Sequence, residues 1–219
     1  FVLSERVDGG YTKMVRNENY WQEGPSVDSL TFQVVPEDAA RIAMLQTGEA
    51  DVIFPVPTTD VSQIENDPSI IIDVAPATTY RYVTLNTEWA LPDGRKPFAD
   101  KRVRQAFNYA FDSEAYAKVV FNGYAKEPTS IFSDSIRFFA EQTPYKPDLE
   151  KAKALMKEAG FEDGFDVELI VDNTTIEQKG AVFVQQQLSQ INVNVKVLPN
   201  ESTANAEKTS APLEDTTVQ

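Results

Sequence analysis

Residues 165–197 admit few arrangements of the backbone. Phe165, Val167, Leu169 and Val171 alternate with Asp166, Glu168 and Ile170, the two-residue period of a half-buried strand. Ile176, Gly180, Phe183, Gln187, Leu188 and Ile191 then mark one side of a helix, and Val193, Val195 and Val197 return to the strand period. Strand, helix and strand in that order form a βαβ unit, with parallel strands joined by a right-handed crossover. A unit of this kind belongs to an α/β layer.

The chain before it follows the same logic. Residues 1–7 and 11–16 read as two strands joined by Asp8-Gly9-Gly10, and after the loop 19–29 a third strand is expected at 30–35, ended by Pro36. Glu37 and Asp38 favour a helix N-terminus. Ala39, Ile42, Ala43 and Gln46 continue at helical spacing to Gly48, a natural stop. Residues 50–54, 70–74 and 80–86 read as further strands, with a helix expected at 58–65. Asp100 caps a helix whose Val103, Ala106, Phe107 and Ala110 share one face, and Asp112 starts another that runs through Tyr116 and Val120 to Gly123. Asp148 caps a third, expected to bury Leu149, Ala152, Leu155, Met156 and Ala159. Residues 125–147, with three prolines, form a long loop, and a short helix is expected at 203–210.

Composition narrows the chemistry. The 219 residues include 34 acidic and 20 basic side chains, a formal charge of -14 that repels a phosphate backbone and argues against nucleic acid as a partner. The acidic residues are dispersed over the chain, as on a soluble folded surface. Cysteine and histidine are both absent. That excludes disulfides, thiolate nucleophiles, Ser-His-Asp and Cys-His catalysis from this chain, and it removes the commonest transition-metal ligand. Carboxylates, Lys, Tyr and Ser remain for any enzyme reading. The pairs Glu162-Asp163 and Glu214-Asp215 sit in loops with no partner motif, and Asp60, Asp67 and Asp73 lack the spacing of a calcium loop. No apolar run reaches the ~18 residues needed to span a bilayer. The chain begins at Phe1 with no basic, signal-like segment and stops at Gln219 on β-prone residues, so both ends are expected to be cuts in a longer polypeptide.

Several motifs then coincide in order. Arg16-Asn17-Glu18-Asn19-Tyr20-Trp21, Gly48-Glu49-Ala50-Asp51-Val52, Phe98-Ala99-Asp100-Lys101-Arg102-Val103-Arg104-Gln105-Ala106, Tyr109-Ala110-Phe111-Asp112 with Gly123, and the stretch 145–161 with Pro147-Asp148 and Glu158-Ala159-Gly160 follow one another along the chain. Together they resemble the bacterial family-5 solute-binding proteins of ABC importers, the dipeptide, oligopeptide and nickel-binding type. The resemblance covers nearly all of residues 1–197.

What the resemblance implies is an α/β fold of periplasmic-binding-protein-like (type II) architecture, with parts of two lobes and mixed sheets flanked by helices. Residues 1–77 would be a segment of the first lobe and 78–219 the second, with a hinge near Pro76. The protein would be a non-catalytic, extracytoplasmic and monomeric binder, in the periplasm or lipid-anchored at the membrane's outer face. It would close two lobes on a peptide or related small solute and deliver it to a membrane permease, with neither cofactor nor metal. The Asp with which peptide binders of the family often fix a ligand's amino end lies beyond the stretch this chain covers.

Tyr80, Tyr82 and Asn86 resemble the family's cleft-lining segment, and Phe121 stands where some oligopeptide binders carry a charge. These four are the expected ligand contacts. For the tyrosines a second reading stands beside the first, in which they pack in the lobe core. Asn86 is also suited to pinning a turn. Arg102 and Arg104 look like carboxylate anchors, but the helix period turns them away from the Val103 face toward a structural role. Trp21 is expected to pack beside the sheet. Two other functions remain open: a carboxylate-based hydrolase of peptides or glycans, and a peptide-sensing module on the same fold.

Overall fold

The computed structural model describes residues 1–75 and 77–201 and divides into two compact units, Phe1–Ile72 and Asp73–Gln219. The hinge position Pro76, the helix expected at 203–210 and the pair Glu214-Asp215 lie outside the described residues.

In the first unit the hairpin forms as the turn residues dictate. Strand β1 (Val2–Val7) pairs antiparallel with β2 (Tyr11–Val15), and the Gly10 amide donates to the Val7 carbonyl at 3.0 Å to close the turn. Strand β3 (Ser29–Gln33) adds antiparallel to β2, giving the order β1-β2-β3, and Arg16 pairs with Asp28 at 2.8 Å beside the loop between them. Helix α1 (Asp38–Thr47) follows and ends on Gly48, whose amide donates to the Leu45 carbonyl. Arg41 on α1 donates to the carbonyls of Val35 and Pro36 at 2.9 and 3.0 Å, which fixes the chain's entry into the helix. The helix expected at 58–65 is only a short 3-10 turn, Val61–Gln63. Ile42, Val61 and Ile64 are the buried aliphatic side chains of this unit among the described residues.

The second unit holds most of the core. Helix α2 (Lys101–Ala110) and helix α3 (Ser113–Phe121) are separated at Phe111-Asp112, as their caps require: Asp100 accepts from the Arg102 amide and Asp112 from the Ala115 amide, each at 2.8 Å. Helix α3 stops on Asn122 in the left-handed region, one residue before the glycine expected to end it. Helix α4 (Leu149–Glu158) begins on Asp148 and packs against α2. Strand β4 (Phe165–Asp172), helix α5 (Thr175–Ser189) and strand β5 (Val193–Asn200) form the expected βαβ unit, and the strands are parallel in register from Phe165 opposite Val193 to Asp172 opposite Asn200. Val103, Ala106, Phe107, Met156, Phe165, Val184, Leu188, Val193 and Val195 meet in one apolar cluster.

The arginines of α2 are structural. Arg102 pairs with Asp100 and donates to the Glu158 carbonyl at 2.7 Å, closing the end of α4, while Arg104 donates to the carbonyls of Phe98 and Ala99 at 2.8 and 3.0 Å. The Arg102 side chain first, and its amide as well, hold the Asp100 carboxyl below the usual carboxylate range. A depressed folded pKa contributes stability above the unfolded value of about 3.9 and loses it as pH falls through the folded value. Asp100→Ala is therefore expected to cost about 1 kcal/mol at neutral pH through the lost cap. Asp100→Asn keeps the acceptor, and its difference from wild type should start to shrink as pH falls below about 4 and vanish only below the depressed folded value. Urea titrations at a series of pH values check both.

Three expected strands find no partner among the described residues. Residues 50–54, 70–74 and 80–86 have strand composition, but no ladder pairs with them among the described residues. Val52, Phe54, Ile71, Val74, Tyr82 and Val83 are consequently exposed. Trp21 also departs from expectation: it is 79% exposed, and among the described residues its one aromatic neighbour is the Tyr20 ring at 6.0 Å.

Candidate functional site

The four expected contacts all lie in the second unit, and the structure brings two of them side by side. Tyr80 and Tyr82, at positions i and i+2 of the unpaired segment, have ring centroids 5.3 Å apart and planes inclined at 34°. Tyr82 is 73% exposed and Tyr80 40%, so the pair forms an open aromatic surface among the described residues. An aromatic face of this kind covers a peptide backbone without selecting particular side chains. Asn86 sits further along, half-buried, where its side-chain oxygen accepts the Glu88 amide at 3.0 Å and pins the following turn. Next to it, Leu85 and Trp89 pack against the core cluster.

Phe121, the last residue of α3, is half-buried. Its ring meets Tyr116 edge-on at 5.9 Å, and Tyr116 also touches Phe111 and Phe183, each at 5.5 Å. Burial pushes the Tyr116 hydroxyl above its ordinary pKa, and the charge of Glu177 adds to the effect. The hydroxyl occupies space that a side chain on α5 would otherwise take: a Cβ at Gly180 would stand 2.5 Å from it. A glycine inside a helix costs roughly 1 kcal/mol relative to alanine, so this one is retained for close approach. Because the Tyr116 ring is boxed in by three phenylalanines, Gly180→Ala is expected to destabilise the wild type. In a Tyr116→Phe background the same change should stabilise by up to about 1 kcal/mol. Thermal unfolding of the four proteins of this cycle reads the change of sign.

Two residues outside the four expected contacts join these groups. Arg81, between the two tyrosines, pairs with Glu177 in the first turn of α5. The only hint was local: Thr174-Thr175-Ile176-Glu177 has the spacing of a capping box. Among the described residues no three Asp or Glu side chains group closely enough to hold a metal ion. Of the pair Glu162-Asp163, Glu162 bonds Lys157 at 2.9 Å on the surface. No helix among the described residues is long and apolar enough to cross a membrane.

A family model described as the bacterial extracellular solute-binding proteins, family 5 (middle part) matches residues 1–216. The chain belongs to this family. Among family-5 relatives, the glutathione-binding protein GsiB of Salmonella paratyphi A is 36% identical over 189 residues, which is 85% of this chain and 36% of the relative. Two solved structures of such binders superpose on nearly the whole chain. The periplasmic binding protein DppA of Helicobacter pylori, in complex with the peptide STSA, gives a TM-score of 0.82 at 29% identity, over 94% of this chain and 39% of DppA. The oligopeptide-binding protein AppA of Bacillus subtilis, in complex with a nonapeptide, gives 0.73 at 28% identity, over 97% of this chain and 44% of AppA. The mixed α/β arrangement is accordingly part of the type II periplasmic-binding-protein fold. The chain spans about a third of the length of the curated relatives it matches, at 36%.

Proposed function

We propose that the gene product carrying these residues is the substrate-binding component of an ABC importer. It takes up a peptide or related small solute outside the cytoplasm, closes two lobes on it and hands it to a membrane permease, without chemistry. Residues 1–77 and 78–219 are assigned to the first and second lobes. Closure follows when contacts to both lobes favour the closed form only with ligand present. The location is the periplasm or, with a lipid anchor, the outer face of the cytoplasmic membrane.

The observation that carries this reading is the open Tyr80–Tyr82 surface, in a chain whose relatives include proteins named for glutathione, itself a tripeptide, and structures holding a tetrapeptide and a nonapeptide. Tyr82 is proposed as the principal contact, with Tyr80 beside it, Phe121 as a further contact and Asn86 setting the turn that ends the surface. The test is native mass spectrometry of the purified gene product offered an equimolar pool of alanine di-, tri- and tetrapeptides and glutathione. One retained peptide per protein is expected. Retention of none, or hydrolysis of a pool member that stops on changing a single Asp or Glu, would overturn the proposal.

A further inference from the structure

Helix α3 ends on a chemically labile pair of residues. Asn122-Gly123 is the one Asn-Gly step in the 219 residues. In such a step the glycine carries no side chain to hinder attack by its nitrogen on the asparagine amide. The Gly123 nitrogen bonds to Cγ of Asn122, the Cγ–Nδ2 bond breaks, and ammonia leaves with the proton that the glycine nitrogen gave up. Water then opens the cyclic imide at either carbonyl, leaving aspartate or isoaspartate at position 122. The reaction needs only water and a backbone free to close the ring.

The fold restricts that freedom. Asn122 lies in the left-handed region, with φ of 50° and ψ of 33°, where asparagine is accepted more readily than most residues. The Asn122 and Gly123 amides both donate to the Ala117 carbonyl, the second at 3.2 Å, and the Tyr124 amide donates to the Phe121 carbonyl at 2.9 Å. Ring closure turns ψ of Asn122 far from its present value and removes the Gly123 amide proton, so the bond from Gly123 to Ala117 has to open first. These bonds are local to the end of α3, whose Ala117 and Val120 are buried, and they form wherever that helix forms. A helix end opens more cheaply than the whole unit unfolds, which sets the rate at which the site is exposed to its own chemistry.

We propose that Asn122-Gly123 is a deamidation site held in check by the end of α3, and that its conversion loosens this end. Aspartate at position 122 sets a negative charge against the carbonyl end of the helix dipole. Isoaspartate also inserts a methylene into the main chain, and the spacing that lets two successive amides share the Ala117 carbonyl is lost. The inference is independent of the peptide-binding reading, since it concerns the protein with no ligand present.

The experiment holds the full gene product at mildly alkaline pH, folded, in sub-denaturing urea and in unfolding urea, and counts aspartate and isoaspartate at position 122 by peptide mapping with mass spectrometry. Hydrogen exchange of the Gly123 amide is followed in the same samples. In the unfolded chain Asn122 is expected to convert faster than any other asparagine, and in the folded protein at least about tenfold more slowly than when unfolded. Sub-denaturing urea should raise the conversion rate and the Gly123 exchange rate in parallel, because both pass through the same opening. Asn122→Asp is expected to speed Gly123 exchange about threefold, with the global unfolding midpoint close to wild type. Equal conversion rates in the folded and unfolded protein would overturn the proposal. So would conversion that does not follow Gly123 exchange, since something other than the helix end would then hold the site. Unchanged exchange in Asn122→Asp would overturn the loosening.

Discussion

Phe165→Ala is expected to lower the unfolding free energy by about 3–5 kcal/mol, the largest effect of any core truncation in the second unit. Phe165 opens β4 at the point where the sheet, α2 and the turn before α2 converge. Its ring lies 5.7 Å from Phe98 and 5.6 Å from Phe161, both edge-on, and 6.3 Å from Phe107 and 6.1 Å from Trp89. Removing it takes away buried apolar area and also one side of four aromatic contacts, each of which contributes beyond its area. The surrounding rings, at 89, 98, 107 and 161, come from four separate stretches of chain and cannot collapse together into the space, so most of the cavity persists. Trp89, stacked on Phe98 at 5.5 Å, is the natural reporter. The chain has two tryptophans, and with Trp21→Phe the fluorescence of Trp89 follows this core alone in a urea titration. A loss below about 1 kcal/mol would mean that the ring cluster is not the centre of the core.

Gly164→Ala should be nearly as damaging, at roughly 3 kcal/mol, although it adds only one methyl group. Two costs combine. Gly164 has φ of +74°, a conformation that costs an L residue about 1–2 kcal/mol. The added Cβ would also run into the carbonyl of Asn192, which immediately precedes β5. That obstacle is backbone, tied down by the parallel register that begins at Phe165 and Val193, so relief requires β4 and β5 to shift apart. Gly94 makes the comparison, with a φ of +84° and nothing within 4 Å of its Cβ position. Gly94→Ala should cost only the conformational part, about 1–2 kcal/mol. Equal losses at the two positions in the same titration would remove the close approach from the explanation.

These two positions also mark where the sequence was and was not legible. The βαβ unit and the helices of the second unit could be read because their signals are local: alternation in 165–171, and Asp100, Asp112 and Asp148 each placed to cap the turn that follows. At 50–54, 70–74 and 80–86 strand composition is not matched by pairing among the described residues. β-branched and aromatic composition records a preference for a pleated surface, whereas a strand exists only when another strand pairs with it. The resemblance places Trp21 beside the sheet, yet it is exposed here, because burial depends on what packs over a residue. The tyrosines of the candidate site were visible as residues. The Arg81–Glu177 pair was not, because nothing in the pattern near Arg81 points to Glu177, and the close approach of Tyr116 to Gly180 joins positions 64 apart in sequence.

The most direct measurement is calorimetric titration of the full gene product and its Tyr82→Ala variant with the peptide that the wild type retains. Saturable one-to-one binding is predicted for the wild type, weakened about tenfold or more in Tyr82→Ala because an exposed aromatic anchor has been removed from the ligand. Identical affinity in the two proteins would contradict the placement of the peptide on the Tyr80–Tyr82 surface.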